Sequence, residues 1–202
     1  MKALDLKDLN PEPIKQFESW FKDAEAEKSI AYPEAMAVST IDSDGYPDNR
    51  LVLMKHFSTE GFIFNTNLNS AKGQALKANP KAALTFYWMP LDKQIRIKGD
   101  VEICSEEYSD KYFATRPRQS QLGAWASKQS EVLESREALE QRVAEVTKKY
   151  EDKEVPRPPY WRGVLVKPVR YQFWLQRDSR LHDSFVYLPN DKGGWEITRR
   201  YP

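Results

Sequence analysis

The chain has 202 residues, 40% of them hydrophobic, and its 31 Lys and Arg balance 30 Asp and Glu. That length supports one sizeable core, and the even charge argues against a nucleic-acid partner, which ordinarily needs a strong basic excess. One cysteine, Cys104, cannot close an internal disulfide, and with only His56 and His182 beside it there is no cluster at metal-ligand spacing.

The chain opens Met1-Lys2-Ala3-Leu4-Asp5, charged and without the apolar stretch of a signal peptide. No apolar run approaches the roughly 20 residues that span a bilayer. A cytoplasmic protein with no membrane partner is expected, with residues 1–10 flexible. Residues 11–28 read as a helix, because Ile14, Phe17, Phe21 and Ala24 recur at helical spacing and Pro11 and Pro13 suit its start. Strands are predicted over 35–41, 50–56 and 61–65, with Asp44-Gly45 as a hairpin turn. Ser70 suits the N-cap of a short helix that Asn79-Pro80 ends. Residues 82–88 and 94–104 read as strands; Gln94-Ile95-Arg96-Ile97-Lys98 alternates strictly, so one face is wet or lines a site. Residues 106–115, 119–125 and 135–150 read as helices, the last with Leu139, Val143, Val146 and Tyr150 on one face. After Pro156, Pro158 and Pro159, strands are expected over 163–175, 185–188 and 195–198. Strands do not alternate regularly with helices, and no glycine-rich dinucleotide or phosphate loop is present. The pattern predicts a mainly β, α+β protein: one domain over residues 1–202, an antiparallel barrel with helices packed outside.

Four segments concentrate chemistry. Arg50-Leu51-Val52-Leu53-Met54-Lys55 places a cation at each end of an apolar strand, either as an anion site or as solvated ends of a core strand. Thr66-Asn67-Leu68-Asn69-Ser70-Ala71-Lys72 joins a strand to a helix start, where free N–H groups favour an anion and Lys72 opposes the dipole unless one is bound. Tyr112-Phe113-Ala114-Thr115-Arg116-Pro117-Arg118-Gln119-Ser120 offers hydroxyls and guanidiniums suited to phosphate, or forms a solvated basic turn. In Arg180-Leu181-His182-Asp183, an extended chain puts Arg180 and His182 on one side.

Together, in this order and with Ser120-Gln121-Leu122-Gly123-Ala124-Trp125-Ala126-Ser127-Lys128-Gln129-Ser130 between the third and fourth, these segments resemble the pyridoxine/pyridoxamine 5'-phosphate oxidase family over nearly the whole chain. The resemblance implies a homodimer of split barrels with FMN at the subunit interface. It implies FMN contacts from Arg50, Leu51, Val52, Leu53, Met54, Lys55, Asn65, Thr66, Lys72, Gln94, Gln129, Ser130 and Trp174. It assigns the substrate phosphate to Lys55, Tyr112, Arg116 and Ser120, and places Arg180 and His182 over the substrate ring as the catalytic pair. The implied reaction oxidises pyridoxamine or pyridoxine 5'-phosphate to pyridoxal 5'-phosphate, with dioxygen as acceptor and no metal.

The chain departs from that pattern in particular places. Ala71 stands where a basic residue usually accompanies the lysine, here Lys72, and Ser184 where an arginine usually contacts the flavin. Arg177, Arg199 and Arg200 are nearby candidates to compensate. Gln172 replaces a usual acidic residue and Leu175 a polar one, and Met1 to Asn10 contain no arginine for an arm that closes over the substrate. Two rivals follow: a split-barrel flavoenzyme for another substrate, such as a phenazine precursor, and a non-catalytic flavin or pyridoxal phosphate carrier.

Overall fold

Alternation of inward apolar and outward polar side chains builds the strands of this protein, whose computed structural model describes residues 3–202. There are eight: β1 (Ala35–Ile41), β2 (Pro47–Ser58), β3 (Gly61–Asn67), β4 (Lys81–Trp88), β5 (Lys93–Ile103), β6 (Trp161–Leu175), β7 (Asp183–Pro189) and β8 (Trp195–Arg199). In β4, Ala82, Leu84, Phe86 and Trp88 turn inward while Lys81 and Tyr87 face out. All neighbours are antiparallel in the order β3-β2-β1-β4-β5-β6-β7-β8, and a further pairing of β3 with β6 closes the first six into a barrel. Closure leaves no open edge among those six strands. Strands β7 and β8 extend the sheet beyond it.

Among the described residues five α-helices pack around the barrel: α1 (Pro13–Ala26), α2 (Ala71–Ala78), α3 (Glu106–Ala114), α4 (Arg118–Ala126) and α5 (Arg136–Lys149). Phe17 of α1 is fully buried, edge-on to Phe62 at 4.8 Å and Phe86 at 5.1 Å. A smaller core of Phe113, Leu122, Tyr150, Val155 and Trp161 joins α3, α4 and the end of α5 to the start of β6. The observed elements follow the predicted order; β2 and β6 extend beyond their predicted bounds. Among the described residues no helix is long and apolar enough to cross a membrane.

The described part of the N-terminal stretch makes hydrogen bonds to β7 and β8. The Leu4 amide donates to the Asp183 carboxylate at 3.0 Å, and Arg199 donates to the Leu4 carbonyl and the Asp5 carboxylate, each at 3.0 Å. The buried Tyr187 ring donates its hydroxyl to the Asn10 carbonyl at 2.9 Å. The cause is chemical: the segment satisfies polar groups of β7 and β8 that burial would otherwise penalise.

One backbone position limits how closely β3 and β6 approach. Gly61 has φ +139°, and a Cβ there would lie 2.1 Å from the Val166 carbonyl oxygen. Gly45, in the β1–β2 turn, also has a positive φ of +84° but open space around it. Gly61→Ala should therefore cost about 3 kcal/mol or more, roughly 6–12 °C in Tm for a chain this size. Gly45→Ala should cost about 1–2 kcal/mol, backbone strain alone. Thermal unfolding of both variants checks this; equal losses would refute the close-approach account.

Candidate functional site

A cleft of about 760 Å³ lies where β2, β3 and the start of α2 meet α3, α4 and the first residue of β6, and its lining contains no Asp or Glu. One wall is built on α2. Ser70 caps that helix by accepting from the Gly73 amide at 3.2 Å. Lys72, in the first turn, is only 7% exposed and its ammonium meets only the hydroxyls of Thr66 and Ser70. Burial, and then the nearby Arg50, push its pKa down to about 8. A cation placed against the positive end of a helix dipole, without a carboxylate, is unfavourable until an anion arrives. Arg50 is anchored by donating to the Thr40 hydroxyl at 2.8 Å and by an ion pair with Asp48.

Lys55 reaches the cleft through an irregularity. Met54 pairs with Phe64 but His56 with Ile63, so Lys55 is the extra residue of a β-bulge. Bulges re-aim side chains beside functional sites. Asn65 follows on β3 with both carboxamide atoms buried and without a protein partner. An amide that both donates and accepts suits the polar rim of a heterocycle.

The opposite wall comes from the helices. The Arg116 guanidinium stacks 4.7 Å from the Trp161 ring and 5.5 Å from the Phe113 ring. Its Nη1 is buried with no hydrogen-bond partner among the described residues, and burial lowers its pKa, against the opposing pull of Tyr112. Tyr112 stacks on Trp161 at 6.2 Å, and burial raises its phenol pKa. Ser120 and Gln129 complete this side. Cation–π stacking fixes the guanidinium plane and leaves its edge for an anion.

The structure thus brings together Arg50, Leu51, Val52, Leu53, Lys55, Asn65, Thr66, Lys72, Tyr112, Arg116, Ser120 and Gln129 from the sequence-derived set. Met54 differs: its side chain joins the barrel core and its amide donates to the Glu34 carbonyl at 2.9 Å. Ser130 lies in an adjoining depression beside Gln129. Sequence reasoning passed over Trp161, Thr115 and Ser127; a tryptophan opening a strand otherwise rich in Val and Leu is a faint signal for the first.

Gln94, Trp174, Arg180 and His182 lie elsewhere. Gln94 and Trp174 are cross-strand partners, and Arg180 and His182 line a second depression with Asp92 and Arg177. The stretch before His182 is a turn and not an extended chain: Ser179 and Arg180 are left-handed, with φ of 56° and 61°. Such backbone is uncommon for side-chain-bearing residues and concentrates at functional sites. His182 packs 4.5 Å from the Trp174 ring and its Nδ1 accepts from the Arg177 amide at 3.0 Å, which leaves Nε2 as the donor nitrogen. From Trp161 to Trp174 runs roughly 40 Å of strand at about 3.3 Å per residue.

Residues 23–150 match the family model described as "Pyridoxamine 5'-phosphate oxidase", and residues 161–202 match "Pyridoxine 5'-phosphate oxidase C-terminal dimerisation region". The chain is 52% identical to the pyridoxine/pyridoxamine 5'-phosphate oxidase of Nostoc punctiforme, over 96% of this chain and 90% of that one. It is also 52% identical to the protein of the same name from Bradyrhizobium diazoefficiens, over 95% and 90%. Among solved structures, PhzG from Burkholderia lata, in complex with tetrahydrophenazine-1-carboxylic acid, superposes with a TM-score of 0.90 at 30% identity, covering 100% of this chain and 99% of that one. An FMN-binding protein from Nostoc punctiforme, 18% identical over 92% of this chain and 97% of that one, shares the fold with a TM-score of 0.72.

Lys72 offers a direct test of the cleft's electrostatics. Its folded pKa is about 8 against an ordinary 10.5, so below pH 8 the folded state carries the full burial penalty. As pH rises from about 8 towards 10.5 the unfolded chain holds more protons at this site, and stability from this group rises. Lys72→Met should therefore stabilise the ligand-free protein by about 1–3 kcal/mol at pH 7, and the advantage should shrink above pH 8. Urea unfolding across pH 7–10 measures it; a destabilised variant at pH 7 would refute the uncompensated burial.

Proposed function

The chain belongs to the pyridoxine/pyridoxamine 5'-phosphate oxidase family, and we propose that it uses FMN to oxidise pyridoxamine or pyridoxine 5'-phosphate at C4' to pyridoxal 5'-phosphate. The observation that carries this reading is the unneutralised charge of one cleft. Lys72 faces it from α2 and Arg116 from α4's approach, and the lining holds no carboxylate. One set of cations suits the phosphate of a cofactor, the other the phosphate of a substrate.

FMN, when bound, supplies the hydride acceptor and the route to dioxygen. Lys72, Thr66, Ser70 and Arg50 would hold its phosphate; the Asn65 carboxamide, with both atoms unpaired, would meet the ring edge. Lys55, Tyr112, Arg116 and Ser120 would hold the substrate phosphate, remote from the reacting carbon. Binding that handle orients C4' and lends binding energy to the chemical step. Arg180 and His182 would come from a second copy of the chain, because strand length separates them from the cleft of their own. In that homodimer the Nε2 donor of His182 and the Arg180 guanidinium would orient and polarise the substrate ring. The balance is pyridoxine phosphate plus dioxygen to pyridoxal phosphate plus hydrogen peroxide; the amine consumes one water more and releases ammonia.

The likeness to PhzG favours a second reading, oxidation of a reduced tricyclic acid. Such a substrate carries a carboxylate but no phosphate, and it gives Lys55, Tyr112, Arg116 and Ser120 no common ligand. The anaerobic visible spectrum of the FMN-loaded protein decides between them. Bleaching by pyridoxine 5'-phosphate and recovery in air are expected. A flavin bleached only by a reduced phenazine acid would establish the second reading, and one that neither substrate bleaches would indicate a carrier.

Arg116→Ala should raise KM for the phosphorylated substrate about 10- to 150-fold, the worth of one charge-assisted phosphate contact. FMN affinity should be unchanged. Steady-state peroxide production and an FMN titration measure the two, and an unaltered KM would remove Arg116 from the substrate phosphate.

A further inference from the structure

Position 184 carries no charge, and the structure shows what stands beside it. On the sheet face away from the barrel core, Gln94 of β5 is opposite Trp174 of β6, and Trp174 is opposite Ser184 of β7. The Ser184 carbonyl in turn accepts from the Arg200 amide at 2.8 Å, just past β8. Directly opposed residues of antiparallel strands project to the same face. A single row therefore crosses three strands and ends just past a fourth: Gln94, Trp174, Ser184, Arg200. Its first two members are sequence-derived cofactor residues that lie far along the chain from the cleft.

Ser184 is itself enclosed and engaged. It is 1% exposed, and its hydroxyl accepts from the Gln172 carboxamide at 3.0 Å. Of the nearby arginines, Arg199 donates to Asp183 at 2.9 Å and to Asp5, and lies 4.5 Å over the ring of Phe185, a core residue. It faces the other way. Arg177 also lies beside Asp183, at 3.9 Å. Arg200 is exposed, and among the described residues no carboxylate pairs with it. Its charge is felt instead by Arg170, whose pKa is lowered by burial and then by Arg96 and Arg200. Arg170 shares the outward face of β6 with Gln172 and Trp174. Three guanidiniums thus gather with only the Gln172 carbonyl oxygen between Arg96, at 3.5 Å, and Arg170, at 3.2 Å. Mutual repulsion keeps such a group receptive to an electron-rich ligand.

We infer that Arg200 supplies the cofactor-facing positive charge that position 184 lacks, one strand further along the same row, acting on the flavin held in the cleft of a second copy. This rests on the FMN-binding homodimer proposed above. Arg96 and Arg170 strengthen the field behind it.

FMN binding to the full-length apoprotein, followed by quenching of flavin fluorescence, tests the assignment without relying on turnover. Arg200→Ala should weaken FMN binding about 10- to 150-fold, the span of one charge-assisted hydrogen bond. Arg200→Lys should retain part of the affinity, and Ser184→Arg introduced into the Arg200→Ala background should restore most of it. Sedimentation should show the same assembly for every variant. If wild-type protein binds FMN and Arg200→Ala binds it equally well, the inference falls and the functional reading stands. If Arg200→Ala loses affinity together with assembly, Arg200 acts through the interface and the inference is again overturned. Wild-type protein that binds no FMN overturns both.

Discussion

Strand β6 pairs with β5 along nearly all its length, with β3 through its first half and with β7 through its second. This triple pairing is the constraint on which the rest depends. The bonds to β3 close the barrel, and Gly61 is required where the two backbones meet. The bonds to β7 carry the sheet onward to the loop that holds Arg180 and His182. One end of β6 therefore supplies Trp161 to the cleft, while the other supplies Trp174 to an outer face. Those ends stand at opposite termini of one long strand, which carries a bulge at Val169 between them. Both ends lie within residues 161–202, the stretch that matches the C-terminal dimerisation region.

The cleft illustrates the conflict between stability and binding. Hydrophobic enclosure that excludes water strengthens every electrostatic contact inside, but it also penalises each unpaired charge. Lys72 and Arg116 bear that penalty in different ways. Lys72 is tempered by two hydroxyls and a depressed pKa, whereas Arg116, which stays protonated, is tempered by aromatic faces. Both solutions keep the cation poised, because neither a hydroxyl nor a ring neutralises it. A carboxylate in either place would stabilise the empty protein and compete with phosphate.

Much of this was legible in the sequence, since the evidence there is local. Alternation in 82–88 and 94–103, the Ser70 cap and the Asp44-Gly45 turn report on neighbours a few residues away, and the corresponding elements formed. The cation-bearing segments were legible too, as residue types. Geometry set by distant partners was not. The bulge at Lys55 depends on how β2 meets β3, and the left-handed Ser179 and Arg180 depend on the return from β6 to β7. Met54 shares the segment with its cleft-lining neighbours, but its side chain packs into the barrel core. The hydrogen bonds of the N-terminal residues were not legible either, because their partners, Asp183, Tyr187 and Arg199, lie nearly a whole chain away.

The departures at Gln172 and Ser184 also look different once they are placed in space. Read along the chain they are separate losses of charge. In the sheet they touch, carboxamide to hydroxyl, so a neutral pair satisfies itself where an acid and a base were expected. Removing an acid from this face leaves Arg96 and Arg170 less neutralised, which deepens its positive potential even as position 184 loses its own charge. Substitutions that are close in the fold must be weighed together, because contacting residues do not contribute additively. The charge available to an anionic ligand is a property of the face, and on this face a residue past the last strand contributes to it as directly as one within the signature segment.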